Sequence, residues 1–147
     1  MGRQRYLYAM LLLIFLLAGC YLASGERVTS EDASTEEGGQ ISGEFVHADG
    51  TTQREITVGQ PAIPVQIEAS ASVEWGELTL EFLSPDGSPA LLVEARYGRA
   101  AEGIGSLTTD DNGQVRYRVV TREARGGTYL IQYRLQPIPT PTPLPTP

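Results

Sequence analysis

From residue 63 onward, apolar side chains return at every second position, and that period confines the chain to β-structure. Ile63, Val65, Ile67, Ala69, Ala71, Val73 and Trp75 alternate with mostly polar residues. Leu78, Leu80 and Phe82 resume the alternation one step out of register, and Gly76-Glu77 stands at the step, where a bulge or bend is expected. Three more series follow: Leu91, Val93, Ala95 and Tyr97; Val115, Tyr117 and Val119; Tyr129, Ile131, Tyr133 and Leu135. A period of two places alternate side chains on opposite faces of a strand, so each series marks a strand with one buried face. No stretch beyond residue 40 carries a helical face.

The punctuation agrees. Asp49-Gly50, Pro85-Asp86-Gly87 and Asp111-Asn112-Gly113 are turn signals, because Gly, and sometimes Asn, tolerates positive φ. The pattern predicts strands near 42–47, 52–58, 63–75, 77–84, 90–97, 104–109, 114–121 and 128–135. Short antiparallel strands at this spacing predict an all-β domain over 41–136, a seven- or eight-stranded β-sandwich of jelly-roll or Ig-like type.

Three flanking segments stand outside that domain. Residues 1–19 carry Arg3 and Arg5, an unbroken apolar run from Tyr6 to Ala18, and then Gly19: the layout of a secretory signal peptide. Leu17-Ala18-Gly19-Cys20 resembles the lipobox of bacterial lipoproteins at all four positions. The resemblance implies a diacylglycerol on the Cys20 sulfur, cleavage before Cys20, and often a further fatty acid such as palmitate on the new N-terminus. Two or three acyl chains hold a protein stably, at about 0.8 kcal/mol per buried CH₂. The alternatives are an uncleaved helix, if the apolar run is extended to Ala23, or plain soluble secretion. Residues 20–40, rich in Ser, Thr, Gly and acids, read as a flexible tether with a reach of roughly 25 Å. Residues 137–147, PIPTPTPLPTP, read as an extended polyproline II tail whose Thr140, Thr142 and Thr146 are compositional candidates for glycosylation.

Gly76-Glu77-Leu78-Thr79-Leu80-Glu81-Phe82 with Ser84-Pro85-Asp86-Gly87, and Gly126-Gly127-Thr128-Tyr129-Leu130-Ile131 near the end, resemble the bacterial pre-peptidase C-terminal type of β-sandwich. That family is an accessory domain of secreted proteins. The resemblance spans some 60 residues and implies a sandwich without implying an activity, and the family's acidic positions are not evident here as a set.

Charge narrows the partners. The chain carries −7, and loss of Arg3 and Arg5 with the leader takes it to −9. A nucleic acid needs clustered cations, so no nucleic-acid partner is expected, and anionic lipid headgroups are disfavoured likewise. Membrane contact is expected through the lipid anchor, on the extracytoplasmic face of the cell membrane, with an envelope protein or a polysaccharide as possible partner. With Cys20 the only cysteine, no internal disulfide exists.

Catalytic chemistry finds little to work with. His47 is the one histidine, no Lys is present, and no Gly-x-Ser-x-Gly elbow occurs. His47, beside Asp49-Gly50, reads as an exposed hairpin residue. Zinc lacks ligands; Asp110, Asp111 and Asn112 are weak calcium candidates, although Asp-Asn-Gly is a turn in its own right. Acids suited to glycoside hydrolysis are plentiful, but none is singled out. No enzyme activity and no cofactor are expected. The ligand-binding candidates are Trp75 and Tyr97, which could stack on a sugar, and Arg96, Arg116, Arg118 and Arg134, which could grip an acidic ligand. Each has a plainer reading: Trp75 as the core tryptophan of the sandwich, and the arginines as cross-strand ion-pair partners of Glu68, Glu81 and Glu94. Tyr129 reads as a corner tyrosine bonded back to the backbone, and Gly98 to Gly105 as a flexible connection.

Overall fold

Three long strands set the architecture of the computed structural model, which describes residues 22–31 and 38–136. β3 (Gly38–Thr57), β4 (Pro64–Leu83) and β7 (Gln114–Leu135) lie side by side in the order β3-β7-β4. Four shorter strands flank them. β1 (Leu22–Ser24) and β2 (Arg27–Glu31) pair with the first half of β3. β5 (Pro89–Arg96) pairs with the second half of β4, and β6 (Ala101–Thr108) with its first half. Every pairing is antiparallel, and no helix occurs among the described residues.

Each long strand bends once, and the bends line up. Register shifts fall between Ala48 and Gly50 in β3 and between Trp75 and Glu77 in β4, both opposite Thr121 to Arg125 of β7. Gly76 makes its bend possible with φ of 81°, a conformation a side chain would strain; Glu123 takes the same region on β7, with φ of 47°. The sheet thereby folds over into two layers, the predicted β-sandwich. The first layer holds β1, β2, β6 and residues 38–48, 64–75 and 124–135. The second holds β5 and residues 50–57, 77–83 and 114–121. One end of the sandwich, the bend pole, carries these bends and the Tyr97 to Ala100 connection. The opposite, open pole carries the connections 58–63, 84–88 and 109–113. The first and last of these are knitted by Val58 N–H donating to Gly113 O at 2.9 Å, Ile63 N–H to Thr109 Oγ1 at 3.0 Å, and the Thr109 hydroxyl to Gln60 O at 2.7 Å.

The period-two series fill the space between the layers. Val65, Ile67, Ala69 and Ile131 of the first layer and Leu78, Leu80, Phe82, Val93, Val115, Tyr117 and Val119 of the second are all buried. Phe82 and Tyr117 stack with ring centroids 5.7 Å apart. The first layer uses a second device. Phe45, Tyr129 and Tyr133 lie opposite Gly127, Gly43 and Gly39 on the neighbouring strand, and each ring occupies the space a Cβ would take.

The structure departs from the sequence expectation at four places. Asp49-Gly50 is a bend inside β3, so 42–47 and 52–58 are one strand. Residues 122–127 continue β7, so 114–121 and 128–135 are also one strand. In the Gly98 to Gly105 segment, read as a loop, strand β6 begins at Ala101 and pairs with Ala71. Finally, residues 22–31, read as tether, are paired with β3. Their apolar content is low, but the open edge of β3 offers a row of backbone donors and acceptors that strand pairing satisfies. Cys20, the leader and the Pro-rich tail lie outside the described residues.

Candidate functional site

The two outer faces of the sandwich are built from the polar residues that alternate with the core. On the second layer, cross-strand register sets Arg118 opposite Glu81, and Arg122 and Arg96 on either side of Glu77. The charges pair: Arg118–Glu81 at 3.2 Å, Arg96–Glu77 at 3.5 Å, Arg122–Glu77 at 3.7 Å and Arg96–Glu94 at 3.8 Å. Arg116 donates to Pro85 O at 2.8 Å and lies 3.8 Å from Asp110. Arg96, Arg116 and Arg118 thus share this face and are occupied by partners of the protein itself. Arg134 is not with them; it lies on the first layer, opposite Gly38 and Gln66. The four arginines form no single strip. A shallow groove of about 210 Å³ runs over Glu77, Thr79, Glu94, Arg96 and Arg122.

The first layer's outer face is different. Two adjacent cross-strand rows, Gln132–Glu68–Ile104 and Leu130–Ser70–Glu102, run over β7, β4 and β6. Together they line a depression of about 400 Å³. Its floor alternates hydrogen-bonding groups with two apolar side chains, Leu130 and Ile104, the latter 65% exposed. Glu68 and Glu102 make no ion pair with another described residue. Gln132 Nε2 donates to Gln40 Oε1 at 3.2 Å, which fixes the amide and leaves its carbonyl oxygen uncommitted. Farther along the same face, the Ser72 and Thr128 hydroxyls bond to each other at 2.8 Å. Sequence alone singled out only Glu68 of these six, as an ion-pair partner of an arginine, which it is not among the described residues. Outward polar positions carry no periodic signal, and only register brings them together.

Trp75 and Tyr97 are brought together as well, at the bend pole. Their rings are 5.2 Å apart and tilted by 52°. Trp75 is 55% exposed and Tyr97 68%, so Trp75 is not the core tryptophan of the plainer reading. The inward period breaks at Gly76, and Trp75 sits where β4 leaves the first layer.

Other expected roles resolve into structure. Asp110 Oδ1 accepts from Asn112 N at 2.9 Å and Gln114 N at 3.0 Å, so this carboxylate holds its own turn; Asp111 and Asn112 are exposed. Among the described residues, no group of three His, Cys, Asp or Glu could hold a metal ion. His47 is exposed, and its cross-strand partners are Ser24 and Arg125. Tyr129 is no corner tyrosine: its hydroxyl is buried beside that of Tyr117 and makes no bond back to the backbone. Burial pushes both phenols above their ordinary range. At the edge beside them, Arg54 of β3 pairs with Glu26, which lies between β1 and β2, and both side chains are about three-quarters covered.

No family model matches the chain, and no curated protein matches it in sequence. Among solved structures, it is similar to the CBM22-1 xylan-binding domain of Paenibacillus barcinonensis Xyn10C, at 13% identity over 78% of this chain and 85% of that one, with a TM-score of 0.43. It is similar to a CBM61 module solved with β-1,4-galactotriose, at 14% identity over 77% of this chain and 88% of that one, TM-score 0.42. It is also similar to the enzymatically active domain of tailspike protein 4 of bacteriophage CBA120, at 15% identity over 79% of this chain, TM-score 0.40; there the chain spans only 19% of the other protein's length. The likeness is distant, and the functional reading below rests on this chain's own residues.

Proposed function

We propose that this is a non-enzymatic, lipid-anchored extracytoplasmic protein that binds a neutral carbohydrate on the outer face of its first layer. The observation that carries the ligand is the depression over Gln132, Glu68, Ile104, Leu130, Ser70 and Glu102. A sugar presents hydroxyls around its edge and C–H groups on its faces. Carboxylates and an amide accept and donate to the hydroxyls, while Leu130 and Ile104 give the C–H face dry ground. Two carboxylates with no cation in the lining repel a uronate, so the ligand is uncharged. The paired arginines of the second layer leave little for an acidic ligand to claim.

The anchor rests on Leu17-Ala18-Gly19-Cys20 directly after the apolar run. A Cys20→Ser chain is expected to remain an unprocessed precursor that takes up no labelled fatty acid; normal processing and labelling refute the anchor. For the ligand, calorimetric titration with neutral and uronate oligosaccharides is the test. Neutral ligands should bind, and Gln132→Ala should weaken them by about 1 kcal/mol, roughly fivefold in Kd. If Trp75→Ala abolishes binding while Gln132→Ala leaves it intact, the depression is not the site.

A further inference from the structure

The pairing of β1 with β3 fixes where the described chain begins. Leu22, the first of the described residues, pairs with Asp49 at the bend pole. Cys20 lies two residues earlier, and two residues span at most about 7 Å. Among the described residues, four of the seven exposed large hydrophobic side chains belong to this pole: Leu22 (68%), Val46 (67%), Trp75 (55%) and Tyr97 (68%). One cross-strand row, Ser24–His47–Arg125–Trp75, spans β1, β3, β7 and β4 there. Three strand spacings put its ends about 14 Å apart. Tyr97 lies against Trp75, and its N–H donates to Gly76 O at 3.2 Å.

We propose that the bend pole is seated on the phospholipid surface, with Leu22, Val46, Trp75 and Tyr97 entering the headgroup layer; this rests on the Cys20 anchor proposed above. Trp and Tyr suit that layer because each ring has an apolar body and a polar handle. The charges of the pole are mixed, Arg99, Arg122 and Arg125 beside Asp49, Glu74 and Glu123, which matches a zwitterionic headgroup better than an anionic one. Seating also accounts for an exposed Trp75–Tyr97 pair and two exposed aliphatic side chains at the same end of the sandwich. It turns the open pole, where Gln136 lies, away from the bilayer. The depression on the first layer then stands at the side, reachable from solvent.

Trp75 is the only tryptophan, so its fluorescence reports this pole alone. The full acylated chain is reconstituted in phosphatidylcholine vesicles, with and without dibrominated phosphatidylcholine, and its Cys20 is checked by mass spectrometry. Seating requires a blue-shifted emission that loses most of its intensity to the brominated lipid. Leu22→Glu, at an exposed position, should restore much of that intensity while acylation persists. An acylated chain whose Trp75 is unquenched overturns the seating and leaves the anchor standing. A product with an unmodified Cys20 sulfur overturns the anchor, and the seating with it.

Discussion

The two outer faces of this sandwich are made by the same three long strands, yet one is closed on itself and the other is open. The second layer sets arginine beside glutamate, row after row, and its groups satisfy one another. The first layer sets Glu68 and Glu102 among Ser70, Gln132, Leu130 and Ile104, with no cation among them. Similar polar content yields opposite capacities. A carboxylate already held by a guanidinium adds a little stability, whereas one without a partner can act on a ligand. The inner faces differ in parallel: aliphatic residues and the Phe82–Tyr117 stack fill the second layer, while the first adds to its aliphatic residues rings laid over glycines.

The largest test asks whether the layers share one core. Tyr117 of the second layer and Tyr129 of the first are neighbours, and burial holds both phenols protonated above their ordinary value of 10.0. Ionisation is easier in the unfolded chain, so their contribution is intact below pH 10 and is lost as pH climbs past it. Phenolate absorbance and loss of β-structure should rise together in one transition above pH 10; two separate transitions would divide the layers into independent units. Next comes Gly127→Val, which drives a branched side chain into the Phe45 ring. It should cost about 3 kcal/mol in urea unfolding, against a change within about 0.5 kcal/mol for Thr79→Val on the second layer's outer face. Equal effects would erase the difference in packing.

Smaller effects sharpen the contrast between the outer faces. Glu102→Ala should weaken a neutral oligosaccharide by about 1 kcal/mol, while Glu81→Ala leaves its affinity unchanged. The reverse ranking would move the ligand to the second layer. The least effect is expected for Arg118 and Glu81 themselves. A double-mutant cycle should return about 0.2–1 kcal/mol, vanishing in molar salt.

The core was legible because burial imposes a period, and Val65 through Val73 or Leu78 through Phe82 show it without help. The bends were not. Gly76 inside β4 and Gly87 in the β4–β5 turn have φ of 81° and 86°. One local conformation thus serves both a bend and a reversal, and only the partner strand tells them apart. Asp49-Gly50 was misread as a hairpin for that reason. The depression was hidden for another: Glu68, Glu102 and Gln132 are distant in sequence and meet only through the register of three strands. Residues 22–31 were hidden because what holds them is the open edge of β3, not their own composition.

The places where the chain enters and leaves the sandwich bear on how it carries load. It enters at Leu22 on the bend pole, with β1 and β2 running along β3, and it leaves at Gln136 on the open pole, at the end of β7. A pull on the two ends therefore acts parallel to the strands. Hydrogen-bond rows must slide past one another together instead of opening one at a time. Stretched between a fixed surface and whatever grasps its far end, the domain behaves as a shear joint.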